Sequence, residues 1–102
     1  MTHVRGILEA IEEAASGAAN GIYANYTIGL IVTGILTSRR ERKALIIQNL
    51  GPDYVYIGFD NTVTALTGIR LITREVYANS SYSGEIWVIS AGVSDLRVEE
   101  VY

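Results

Sequence analysis

The chain has 102 residues, with 8 basic against 11 acidic side chains, a net charge of -3, a single histidine and no cysteine. That length makes one domain, able to bury roughly 65% of its unfolded surface in a single core without staples. The missing cysteines exclude thiol catalysis, disulfide frameworks and zinc knuckles, and the acidic balance leaves no broad basic field for direct nucleic-acid binding.

From Thr2 to about Ser16, Val4, Ile7, Leu8, Ile11, Ala14 and Ala15 recur at helical spacing, with Arg5, Glu9, Glu12 and Glu13 between them. This pattern predicts an amphipathic helix capped by Thr2 and stopped at Gly17, so residues 1–20 read as helix and linker and 21–102 as a β-sandwich domain. A helix this short is marginal alone. Val4, Ile7, Leu8 and Ile11 therefore form a docking stripe, for the same chain or for a neighbouring copy. Glu9, Glu12 and Glu13 stand where a secretory signal needs an apolar core, so no signal peptide is expected. His3, near a terminus, reads as a solvated or helix-start residue.

No charged residue occurs from Ala14 to Ser38. Asn20, Asn25, Thr27, Thr33 and Thr37 interrupt this run, and Gly29 and Gly34 weaken a helix, which argues against a membrane span. Period two fits better: Ile22, Ala24, Tyr26, Ile28, Leu30, Val32 and Leu36 share one face, with Ile31 and Ile35 as exceptions. The run is one long strand, or two strands bent near Gly29. The charged cluster Arg39, Arg40, Glu41, Arg42, Lys43 follows, short and interrupted by Glu41. It reads as a solvated loop or an intersubunit salt-bridge site, with Arg40 and Arg42 as interface candidates.

Next, RKALIIQNLGPDYVYIG from Arg42 to Gly58 reads as two strands joined by a tight turn at Gly51, Pro52 and Asp53. Leu45, Ile47 and Asn49 fall on one face of the first, and Ala44, Ile46, Gln48 and Leu50 on the other. Asp60 to Gly68 is a polar connection. Ile69 to Ile72 and Glu75 to Ala78 are short strands, and Asn79, Ser80, Ser81, Ser83 and Gly84 supply turn chemistry. Glu85 to Ser90 is a strong strand with Trp87 and Ile89 on one side, and Leu96 to Val101 is the last, with Leu96 and Val98 facing together. About seven short strands predict a mainly β fold, an antiparallel β-sandwich or small jelly roll preceded by the helix. The expected core is Ile28, Leu30, Val32, Leu45, Ile47, Ile57, Trp87 and Ile89.

Catalysis needs positioned acids, bases or nucleophiles, and here no histidine or cysteine is linked to a partner. Asp53, Asp60 and Asp95 read as turn residues, with a calcium site at Asp60 and Asn61 as the lesser alternative. Glu99 and Glu100 are adjacent, so in a strand they point to opposite faces and cannot form a dyad. Gly58 and Gly68 lack the spacing of a phosphate-binding loop. The expectation is a non-enzyme without a cofactor. Seven tyrosines offer contact area with a polar tip; Tyr23, Tyr54 and Tyr56 are interface candidates, and a homo-oligomer is expected.

Arg42, Leu45, Ile47, Asn49 and Gly51, then Val55, Tyr56, Ile57 and Gly58, then Gly68, and finally Gly84, Ile86, Trp87, Val98 and Glu99 form a pattern over about the last 60 residues. It resembles small β-sandwich structural proteins of tailed phages and related viruses, of the head-decoration, head-fibre base or connector type. The resemblance implies a non-catalytic virion protein that self-associates and binds a major capsid or other virion protein. It implies location in the virion; for a non-viral protein the expected location is the cytoplasm. Two other classes share these features. One is a metal-free cupin-like binding module in which Trp87 and the tyrosines stack on a sugar or small ligand; the other is an accessory subunit of a cellular complex.

Overall fold

The computed structural model describes residues 20–102, so the expected helix and its stripe of Val4, Ile7, Leu8 and Ile11 lie outside the described residues. Eight strands follow in chain order: β1 Gly21–Ile28, β2 Thr33–Leu36, β3 Ala44–Pro52, β4 Val55–Gly58, β5 Ile69–Leu71, β6 Val76–Asn79, β7 Ile86–Ser90 and β8 Ser94–Val101. They form two four-stranded sheets, ordered β1-β8-β3-β6 and β2-β7-β4-β5. The pairs β1 with β8, β2 with β7, β3 with β6 and β4 with β5 are all antiparallel. They nest inside one another, as if one long hairpin with its tip between β4 and β5 had been rolled into a sandwich. That is the jelly-roll order. The expectation of about seven strands falls one short, because β1 and β2 are separate.

The separation has a physical cause. β1 belongs to one sheet and β2 to the other, so the chain must leave its first sheet at Gly29 and cross the end of the sandwich. Of the two readings left open for this run, the bend near Gly29 holds. Crossing changes the phase of alternation, which is why Ile35 broke the period-two pattern and yet is buried. It also overturns a core assignment: Leu30 is 70% exposed at the crossing and Val32 is only half-buried.

Ile28, Leu45, Ile47, Val55, Ile57, Ile86, Val88, Leu96 and Val98 fill the space between the sheets, and Ile35 and Leu71 close it. Trp87 and Ile89 do share a side, but it is the outer one. The register that sets Ile57 opposite Val88 and Val55 opposite Ser90 turns Ile86, Val88 and Ser90 inward. The run IWVIS is apolar in both phases, so its sequence alone could not choose. Trp87 lies half-buried across Gly34 of β2, its ring atoms 3.3 Å from where a Cβ would stand.

The turn after β3 joins strands of different sheets, because β3 pairs with β8 and β6 while β4 pairs with β7 and β5. Asn49 organises it from inside. Its Nδ2 donates to Asp53 O at 2.8 Å and to Leu71 O at 2.9 Å, while its Oδ1 accepts from Gly51 N at 2.9 Å and Ser94 Oγ at 2.7 Å. Both donors and both acceptors of the amide are used. Gly51 has φ +91°, a conformation that favours glycine, and a side chain there would meet Thr73. A second close approach is at Gly58, where the connection between β4 and β5 folds back and sets Val63 where a Cβ would be.

Candidate interaction surface

The two ends of the sandwich differ in character. At the base lie the β2–β3, β4–β5 and β6–β7 connections together with both ends of the described chain, where Asn20 and Tyr102 exchange backbone hydrogen bonds at 2.7 and 2.9 Å. The β1–β2, β3–β4, β5–β6 and β7–β8 connections meet at the opposite end, the tip.

Arg42 holds the base together. Its Nε donates to Glu100 Oε2 at 2.7 Å, Nη2 to Thr37 O at 2.7 Å, and Nη1 to Gly84 O at 2.9 Å and Tyr82 O at 3.3 Å. Arg39 reaches the other oxygen of Glu100 at 3.2 Å and lies 3.7 Å from the centre of the Tyr102 ring. The expected solvated or intersubunit cluster is therefore corrected for Arg42: its side chain is enclosed, where a carboxylate and three carbonyls replace water. Arg40 remains exposed in the same connection. Glu99 and Glu100 do point to opposite faces, with Glu100 inside.

The tyrosine candidates are not brought together. Tyr23, 74% exposed, stands on the outer face of β1 near the base, while Tyr56 is half-buried on the outer face of the other sheet. Tyr54 is exposed at the tip, with the Arg70 guanidinium 5.4 Å over its ring. Tyr26, Tyr77 and Tyr82 pack on the core. Tyr82 donates to Glu85 O at 2.8 Å, and burial followed by the nearby Glu85 charge pushes its phenol above the ordinary range.

Of the three aspartates read as turn residues bonding local backbone, only Asp60 does so; Asp53 reaches the distant β7–β8 connection. Asp53 Oδ2 accepts from Val93 N at 3.0 Å. Asp60 accepts from the side chain and backbone of Thr62, which hold its carboxyl below the ordinary range. Asp95 is in strand β8 rather than in a turn, and accepts from Thr27 Oγ1 at 2.9 Å. Among the described residues no three His, Asp or Glu side chains converge to hold a metal, and no helix is long and apolar enough to cross a membrane.

What the sequence reading missed is the tip. Leu30, Ile31, Pro52 and Val93 surround an open recess of about 720 Å³, bordered also by Asp53 and Gly92. Ile31 is 79% exposed and Val93 58%. The only charged side chain in that set is Asp53, whose carboxylate is bonded to Val93 N–H. Exposed Tyr54 and Ile72 stand on adjoining connections. The signal was present in the sequence: Leu30 and Ile31 are consecutive apolar residues directly after Gly29, and consecutive residues cannot both face one core in a strand.

No protein-family model matches the chain, and no curated protein sequence matches it. Among solved structures it is similar to a protein of Bacillus endospore appendages, which are described as a novel family of disulfide-linked pili. The TM-score is 0.46 and the identity 13%, over 81% of this chain and 84% of that one. The present chain has no cysteine.

Proposed function

We propose that this chain is a non-enzymatic structural subunit that associates with copies of itself. The observation that carries this reading is the apolar tip, where four large or rigid apolar residues from two connections and the end of β3 are gathered and left in water. Contiguous exposed apolar surface of this kind marks interaction sites rather than ordinary protein surface. The polar side chains at buried positions are already committed: Arg42, Glu100, Asn49, Ser90 and Ser94 each bond within the fold. They work as internal ties, which favours a scaffold over a catalyst.

The free edges add a second means of contact. β1 and β6 end one sheet and β2 and β5 the other, and unpaired edges are templates for another strand. The jelly-roll order is used by viral coat proteins as well as by lectin domains, which supports a virion setting by analogy of fold alone. In that setting the neighbour would be a capsid or other virion protein. Light scattering on the full chain during gel filtration tests the reading. A mass of several copies is expected; a single-chain mass at every concentration would refute self-association.

A further inference from the structure

We infer that copies associate head to tail, with the apolar stripe of residues 1–19 of one copy seated on the Leu30, Ile31, Pro52 and Val93 tip of the next. This rests on the self-association reading above and specifies its polarity. The first argument is placement. Residues 1–19 join the sandwich at Asn20, which is bonded to Tyr102 at the base. The eight residues of β1 then run about 27 Å before the chain turns at Leu30 and Ile31. The segment that carries the stripe enters the sandwich at one end, and the tip is at the other.

The second argument is fit. At the helical spacing their sequence pattern predicts, Val4, Ile7, Leu8 and Ile11 would span two turns, about 10 Å. The tip is made by arches that cross between two packed sheets, whose spacing is also about 10 Å. The third is charge. Glu9, Glu12 and Glu13 flank the stripe, while exposed Arg70 and Arg74 stand beside and on the β5–β6 connection of the tip. Among the described residues neither arginine pairs with a carboxylate. The tip carboxylates Asp53 and Glu75 keep their charge but are held in place by Val93 N–H and Ile72 N–H, so the two exposed arginines are the tip charges able to turn toward the glutamates.

A contact between unlike ends cannot satisfy itself in one pair. Each dimer keeps one open tip and one open stripe, so assembly continues into a ring or an open filament.

The test uses three full-length chains: wild type, Ile31→Asp, and the double variant Leu8→Asp with Ile11→Asp. Light scattering should give a wild-type mass that exceeds one chain, and 11.1 kDa for each variant alone. An equimolar mixture of the two variants should give a complex of two chains and nothing larger, because one intact stripe then meets one intact tip. If wild type assembles but Ile31→Asp assembles equally well, or the mixture stays monomeric, the head-to-tail contact is wrong while self-association stands. A wild type that is monomeric throughout removes both. Circular dichroism of the stripe variant guards against misreading: loss of its β signature would mean that the stripe docks on its own chain, which also overturns the inference.

Discussion

Arg42 and Glu100 are joined inside the molecule by a 2.7 Å hydrogen bond across 58 residues of sequence, and the arginine side chain has no contact with water. The pair ties the β2–β3 connection to β8, while Nη1 fixes the β6–β7 connection at Tyr82 and Gly84 and Nη2 closes the β2–β3 connection on Thr37. Replacing one partner leaves the other charged and enclosed. Glu100→Gln is expected to cost about 3–5 kcal/mol of folding free energy. Urea unfolding of the full chain measures it, and a loss below about 1 kcal/mol would mean that the charge is not enclosed.

Asn49 makes a second prediction. Asn49→Asp keeps the acceptors for Gly51 N–H and Ser94 Oγ but sets a carboxylate oxygen against the carbonyls of Asp53 and Leu71. The expected loss at neutral pH is about 2–4 kcal/mol, the cost of leaving two buried carbonyls without donors. Protonation restores one donor, so the deficit relative to wild type should shrink as pH falls. Unfolding midpoints at neutral and mildly acidic pH check both parts; a deficit that grew on acidification would contradict the bonding scheme.

Ile31 should behave in the opposite way. It is mostly in water within the single chain, so Ile31→Asp is expected to change the stability of the monomer by no more than about 0.5 kcal/mol. Denaturant unfolding of the isolated monomeric species measures this. A loss above about 2 kcal/mol would assign Ile31 to the fold rather than to a contact surface.

Tyr82 titrates late. Its phenol is pushed up first by burial and then by the charge of Glu85, so its neutral form is favoured in the folded protein. A folded pKa above the unfolded value means that this contribution is complete below about pH 10 and is lost as pH rises through the folded value. Ultraviolet titration should therefore show a late-ionising tyrosine that disappears in Tyr82→Phe. An unchanged titration curve in the variant would refute the assignment.

Much of the fold was legible because alternation and turn residues act locally. Leu45, Ile47 and Asn49 were placed on one face, and that face is the buried one. The strands at Ile69 and Ile86, the polar connection from Asp60 and the inward phase of Leu96 and Val98 also stand as read. What failed depended on which sheet a strand joins. Leu30 lost its core place because the chain changes sheets after Gly29, and Trp87 because IWVIS could face either way until β4 set its register. Arg42 carried no local sign of burial; its partners come from Thr37, Tyr82, Gly84 and Glu100, which only the rolled topology brings together. The tip was missed for the same reason, since Leu30, Pro52 and Val93 are distant in sequence.

Sedimentation of the full wild-type chain over a wide concentration range tests the central claim most directly. Self-association through the tip predicts a weight-average mass above 11.1 kDa that rises with concentration or settles at a closed multiple of it. A mass fixed at one chain throughout would contradict the account, and would leave the exposed Leu30, Ile31 and Val93 as a surface for some other partner.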